Sequence, residues 1–98
     1  MNKSKSIITV VGKDQVGIIA RVTTYLYKNN VNVEDITQSI VAGYFNMMMI
    51  VDTQSSTKPF LELSKELENL GKEIGVIIKL QREDIFVSMQ RIWLTLMK

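Results

Sequence analysis

The chain contains no histidine and no cysteine. That removes Ser-His-Asp and Cys-His nucleophilic arrangements, disulfides and the usual structural zinc ligands. What remains is a short glycine-bounded segment, Gly12-Lys13-Asp14-Gln15-Val16-Gly17-Ile18. Gly12 permits a sharp turn there, and Gly17 lets backbone approach a ligand or a neighbouring helix. Free N–H groups at a following helix start favour a carboxylate or phosphate. The glycine spacing is close to that of a phosphate loop, yet Ile18 stands where that motif needs Lys followed by Ser or Thr. Asp14 also opposes a polyanion, so a small anion suits the segment better than a nucleoside triphosphate. The plainer reading, in which the glycines serve the turn and Asp14 caps the helix, stands beside it. Catalysis by Lys13 and Asp14 is not expected, since no neighbouring group evident from sequence shifts either pKa.

Two carboxylate pairs read as structural. Glu34 and Asp35 are adjacent on an extended segment and point to opposite faces, which is poor geometry for shared acid–base work or a metal. Glu83 and Asp84 suit the positive end of a helix dipole. Lys65, Glu66, Glu68, Lys72 and Glu73 mark the solvated side of a helix, with Glu68 and Lys72 spaced for one weak pair. No metal site and no cofactor are expected.

The glycine-bounded segment must be held by the elements on either side of it. Residues 6–12, Ser-Ile-Ile-Thr-Val-Val-Gly, are β-branched and nearly all apolar, as a central strand requires. Apolar residues then recur with helical period at Ile18, Ile19, Val22, Tyr25 and Leu26 until Lys28-Asn29-Asn30. Extended patterns over 31–41 and 44–52 flank the positive-φ pair Ala42-Gly43, which predicts a hairpin. Thr57 is expected as an N-cap, with Pro59 in the first turn of a helix. That helix carries the stripe Phe60, Leu63, Leu67, Leu70 and Ile74 and stops at Gly75. Residues 76–82 alternate as a half-buried strand. A last amphipathic helix over 83–97 presents Ile85, Phe86, Met89, Ile92, Trp93 and Leu96 on one face. The order β-α-β-β-α-β predicts an α+β, ferredoxin-like sandwich, with a four-stranded antiparallel sheet and both main helices on one side.

Residues 1–98 fit one domain, with a core over 6–82 and a helical extension over 83–97. Hydrophobic residues make up 46% and charged residues 22%, as in ordinary globular chains. Twelve basic and ten acidic residues, scattered along the sequence, give a net charge of +2 and no nucleic-acid footprint. Apolar runs fall short of the ~20 residues needed to cross a bilayer. Met1-Asn2-Lys3-Ser4-Lys5 leads into a strand rather than a signal segment, so a cytoplasmic location with no membrane partner is expected. Along 44–52, Phe45, Met47, Met49 and Val51 point one way while Tyr44, Met48 and Ile50 point the other, so both faces of the sheet are apolar. Either the last helix or a second subunit must cover the second face, and a homodimer is expected.

With these elements in place, the chain resembles the ACT domain, a small regulatory module of amino-acid metabolism. The resemblance spans residues 6 to 82. It rests on the strand leading into Gly12-Lys13-Asp14-Gln15-Val16-Gly17-Ile18-Ile19-Ala20 and on Asn30-Val31-Asn32-Val33-Glu34-Asp35-Ile36. It is nearest to small standalone ACT proteins and to the ACT repeats of the glycine cleavage system repressor. The resemblance implies binding rather than catalysis, with an amino acid or similar small molecule seated where the turn of one domain faces the start of the second strand, often across a pair. The implied ligand-binding positions are Gly12, Asp14, Gln15, Val16, Gly17, Ile18 and Asn32. Turn amides would take the carboxylate, and Asp14 or the Asn32 side-chain oxygen would accept from the ammonium group. Regulatory ACT domains usually sit beside a catalytic or DNA-binding domain, so a signalling role here calls for a separate partner protein. The competing expectation is a ligand-free protein–protein interaction module.

Overall fold

The fold is that of a computed structural model, which describes residues 5–13, 16–84 and 96. Its elements in chain order are β1 (Lys5–Lys13), α1 (Ile18–Lys28), β2 (Asn32–Val41), β3 (Tyr44–Asp52), α2 (Phe60–Ile74) and β4 (Val76–Arg82). The strands form one antiparallel sheet in the order β2-β3-β1-β4, so the apolar β1 and β3 are central and β2 and β4 are edges. Glu83 and Asp84 have helical backbone, and beyond them the expected last helix lies outside the described residues, apart from Leu96.

Alternation along the strands determines which side the helices cover. Ile8, Val10, Phe45, Met47, Met49, Val51, Val76, Ile78 and Leu80 are buried on one face, where Ile18, Val22, Leu26, Leu63 and Leu67 from the two helices meet them. On the opposite face Val11, Tyr44, Met48 and Ile77 are exposed, while Ile7 is buried.

Edge strand β2 carries a bulge between Val33 and Asp35, with Glu34 as the additional residue. Val33 therefore pairs with Val51 and Ile36 with Met49, so both point to the helix-covered face despite a spacing of three. Glu34 reaches across to the Lys5 ammonium at 2.8 Å. That carboxylate holds the Lys5 pKa above its ordinary value, chiefly through the hydrogen bond.

The entry to α2 differs from expectation. Pro59 is the N-cap, with extended backbone, and its carbonyl accepts the first helical hydrogen bond from Leu63. Thr57 instead donates its N–H to the Asn29 carbonyl at 3.0 Å, pinning the loop before α2 to the end of α1. Two residues on the expected solvated side of α2 are also engaged. Glu66 accepts from Tyr25 and Lys58, both at 2.7 Å, and Glu73 accepts from Arg21 at 2.8 Å. Lys72 and Glu68 form the expected i,i+4 pair at 3.7 Å.

Candidate functional site

The segment between β1 and α1 lies at one end of the sheet. There Lys13 pairs with Tyr44, Tyr44 pairs with Val41, and Gly12 lies beside Val76. Gly12 is still a strand residue. A Cβ on it would fall 2.6 Å from Val76 Cγ1, so this glycine answers to the close approach of β4 rather than to a sharp turn. The turn itself needs Gly17, which has φ 90°, a left-handed conformation that side chains other than glycine adopt at a cost. A Cβ there would meet nothing within 4 Å.

Gly17 is also the N-cap of α1, and among the described residues no side chain caps the helix. The first helical hydrogen bond runs from Arg21 N–H to the Gly17 carbonyl at 2.9 Å. The amides of Ile18, Ile19 and Ala20 precede it and have no acceptor within the helix. No acidic residue stands in the first turn, so the positive end of the dipole is not neutralised from within α1. Hydrogen-bond donors and positive potential thus coincide at one exposed place, which is the chemistry that receives a carboxylate.

Two hollows flank this helix start. One, of about 290 Å³, lies toward the end of α2 and is lined by Val16, Gly17, Ile18, Arg21, Glu73 and Ile74. The other, of about 480 Å³, lies toward the β2–β3 hairpin and is lined by Ile19, Gln38, Ser39, Ile40 and Phe45. The exposed Arg21 and Glu73 side chains pair with each other across the first.

The structure therefore brings Gly12, Val16, Gly17 and Ile18 to one end of the sheet, while Asp14 and Gln15 lie outside the described residues. Asn32 is not with them. It pairs with Asp52, which pairs with Lys5, at the opposite end. Nine steps of extended chain separate it from Val41, roughly 30 Å at ~3.3 Å per residue. A single chain cannot close a small ligand between Asn32 and the turn. Arg21, Glu73, Ile40 and Phe45 were not singled out from sequence as site residues. Only Arg21, one helical turn beyond Gly17, carried a local signal. Among the described residues no cluster of three or more Asp, Glu, His or Cys could hold a metal ion.

The strand order and the two helices on one face define a ferredoxin-like α+β domain. The chain belongs to the ACT domain family, whose model matches residues 5–81. It is 61% identical over 89 residues to a UPF0237 protein of Bifidobacterium longum, covering 91% of this chain and 99% of that one. Among solved structures it is similar to an ACT domain protein from Streptococcus pneumoniae, at 39% identity and TM-score 0.75, covering 84% of this chain and 92% of that one. It is also similar to the ligand-free regulatory subunit of aspartate kinase from Thermus thermophilus, at 26% identity and TM-score 0.62, covering 81% and 51% of the two chains. ACT domains are regulatory, ligand-binding modules. No described helix is long and apolar enough to cross a membrane.

Proposed function

We propose that this protein is a regulatory sensor, not an enzyme. It takes an amino acid or similar small carboxylate at the start of α1, at the interface of a homodimer, and signals occupancy to a partner protein. The observation that carries this is the first turn behind Gly17, which among the described residues has neither a side-chain cap nor an acid of its own and opens onto hollows on both flanks.

The position of Asn32 supports the pair. Edge strand β2 offers an unpaired row of backbone groups, and Ile36, Ile40 and Val41 on it are exposed. On α1, Arg21 and Tyr25 turn toward α2, which places Ile19, Thr23 and Tyr27 in four-residue steps on the flank nearer β2. Tyr27 is 85% exposed. Antiparallel pairing of two β2 edges around Ile36 and Thr37 buries these side chains, with Glu34 in the same strand held by Lys5 of its own chain. It also brings the partner subunit's Asn32 to the Val41 end of the first chain, beside the turn. The site is then completed by two copies, and a ligand that binds only the paired state favours it by that difference in affinity.

Thermal melts with each proteinogenic amino acid test the reading. A ligand at ~100 times its Kd stabilises the fold by about 2.7 kcal/mol and raises the Tm clearly. If no amino acid shifts the Tm at millimolar concentration, the sensor reading fails. The second reading, a ligand-free interaction module, then takes its place. It is favoured by the open sheet face, where Thr9, Val11, Thr37 and Met48 line a hollow of about 220 Å³.

A further inference from the structure

Resting on that reading, we infer that the ligand carries an uncharged, apolar body, and that Ile19, Ile40 and Phe45 select it. Ile19 joins the two parts of the site. As the second residue of α1 it contributes one of the amides with no acceptor within the helix, while its side chain lines the 480 Å³ groove. A carboxylate held by the first turn thus points the rest of the molecule along Ile19 toward the hairpin. There Ile40 and Phe45 stand opposite each other in the β2–β3 register and on the same face. Phe45 is buried and forms the floor, and Ile40, 60% exposed, forms the wall.

No charged side chain lines this groove among the described residues. Arg21 and Glu73 lie on the other flank of the helix start and pair with each other. A ligand with a charged side chain would shed water here and find no counter-charge in this protomer's lining, whereas an aliphatic chain loses nothing by leaving water. The polar lining is neutral: Gln38, whose side chain has no hydrogen-bond partner among the described residues, and Ser39. The matching chemistry is a short carboxylate with an aliphatic chain, either a branched-chain amino acid or the corresponding 2-oxo acid.

Titration calorimetry of the unmodified protein separates the cases, using leucine, isoleucine, valine, their 2-oxo acids, glycine, aspartate and lysine. The aliphatic amino acids are expected to bind about tenfold or more tightly than glycine, and aspartate and lysine not to bind measurably. Comparable affinity of the 2-oxo acids assigns recognition to carboxylate and chain alone; tighter binding of the amino acids adds the ammonium group. Either result upholds the apolar body. Ile40→Ala should cut the preference for leucine over glycine about fivefold with glycine unchanged, and Ile40→Asp should place lysine ahead of leucine. Aspartate or lysine binding the unmodified protein as tightly as leucine overturns this inference and leaves the carboxylate site standing. Equal weakening of glycine and leucine by Ile40→Ala removes Ile40 from selection. Absence of binding by every carboxylate at millimolar concentration overturns the site itself.

Discussion

Two glycines bound the β1–α1 turn for different physical reasons, and substitution separates them. Gly17→Ala places a side chain at φ 90° in open space, so its cost is conformational, about 1 kcal/mol in urea unfolding. Gly12→Ala drives a methyl group against Val76 and should cost about 1–3 kcal/mol, a loss partly recovered when Val76 is also cut to Ala. Their importance is legible in the sequence, but the reason for Gly12 is not, because it depends on a strand that returns only after α2. The Tyr25–Glu66–Lys58 cluster was likewise invisible, since it joins residues from three parts of the chain. The hydrogen bond from Lys58, then that from Tyr25, holds the Glu66 pKa below its ordinary 4.5. Burial, then the Glu66 hydrogen bond, pushes the Tyr25 phenol above its ordinary 10.0. A lowered carboxylate gives stability that is present above pH 4.5 and lost as pH falls through the folded-state pKa. A raised phenol gives stability that is present below pH 10.0 and lost as pH rises toward its folded-state value. Unfolding free energy should therefore decline at both extremes. Tyr25→Phe should remove the alkaline decline due to this group, at a cost of about 1 kcal/mol at neutral pH.

At the scale of elements, β1, β3, β4 and the two helices fall where periodicity puts them, because each buries one face against a common core. Leu67 in the middle of the α2 stripe is 1% exposed, and Leu67→Ala should lower stability by about 2–5 kcal/mol. Leu61, on the outer side and 81% exposed, is the matched control, and Leu61→Ala should change stability little. Equal losses in chemical denaturation would contradict the phase of α2. The legible part ends where tertiary contacts override local pattern. The bulge at Glu34 breaks the alternation of β2, so no strict period reveals that Val33 and Ile36 share a face. Thr57 has the right chemistry for an N-cap, but the Asn29 carbonyl claims it, and Pro59 takes the capping position with no side-chain bond to give.

For the whole molecule, the separation of Asn32 from the turn has the widest consequence, because the proposed site then needs residues from opposite ends of β2 and hence from two copies. Family resemblance grouped these residues; strand register shows that they stand too far apart to meet within one copy. A lysine on an edge strand opposes pairing, so Ile36→Lys should shift a micromolar sample from dimer to monomer in light scattering and abolish any ligand-induced rise in Tm. Retention of both dimer and ligand response would exclude pairing through β2. The claim beneath all of this is that the first turn of α1 receives a carboxylate. Amide-resolved NMR titration with leucine on the isotope-labelled protein tests it most directly. The account predicts that the largest changes fall on the amides of Ile18, Ile19 and Ala20, together with Asn32. Changes confined to the opposite sheet face, at Val11 and Met48, or none at saturating leucine and glycine, would contradict it.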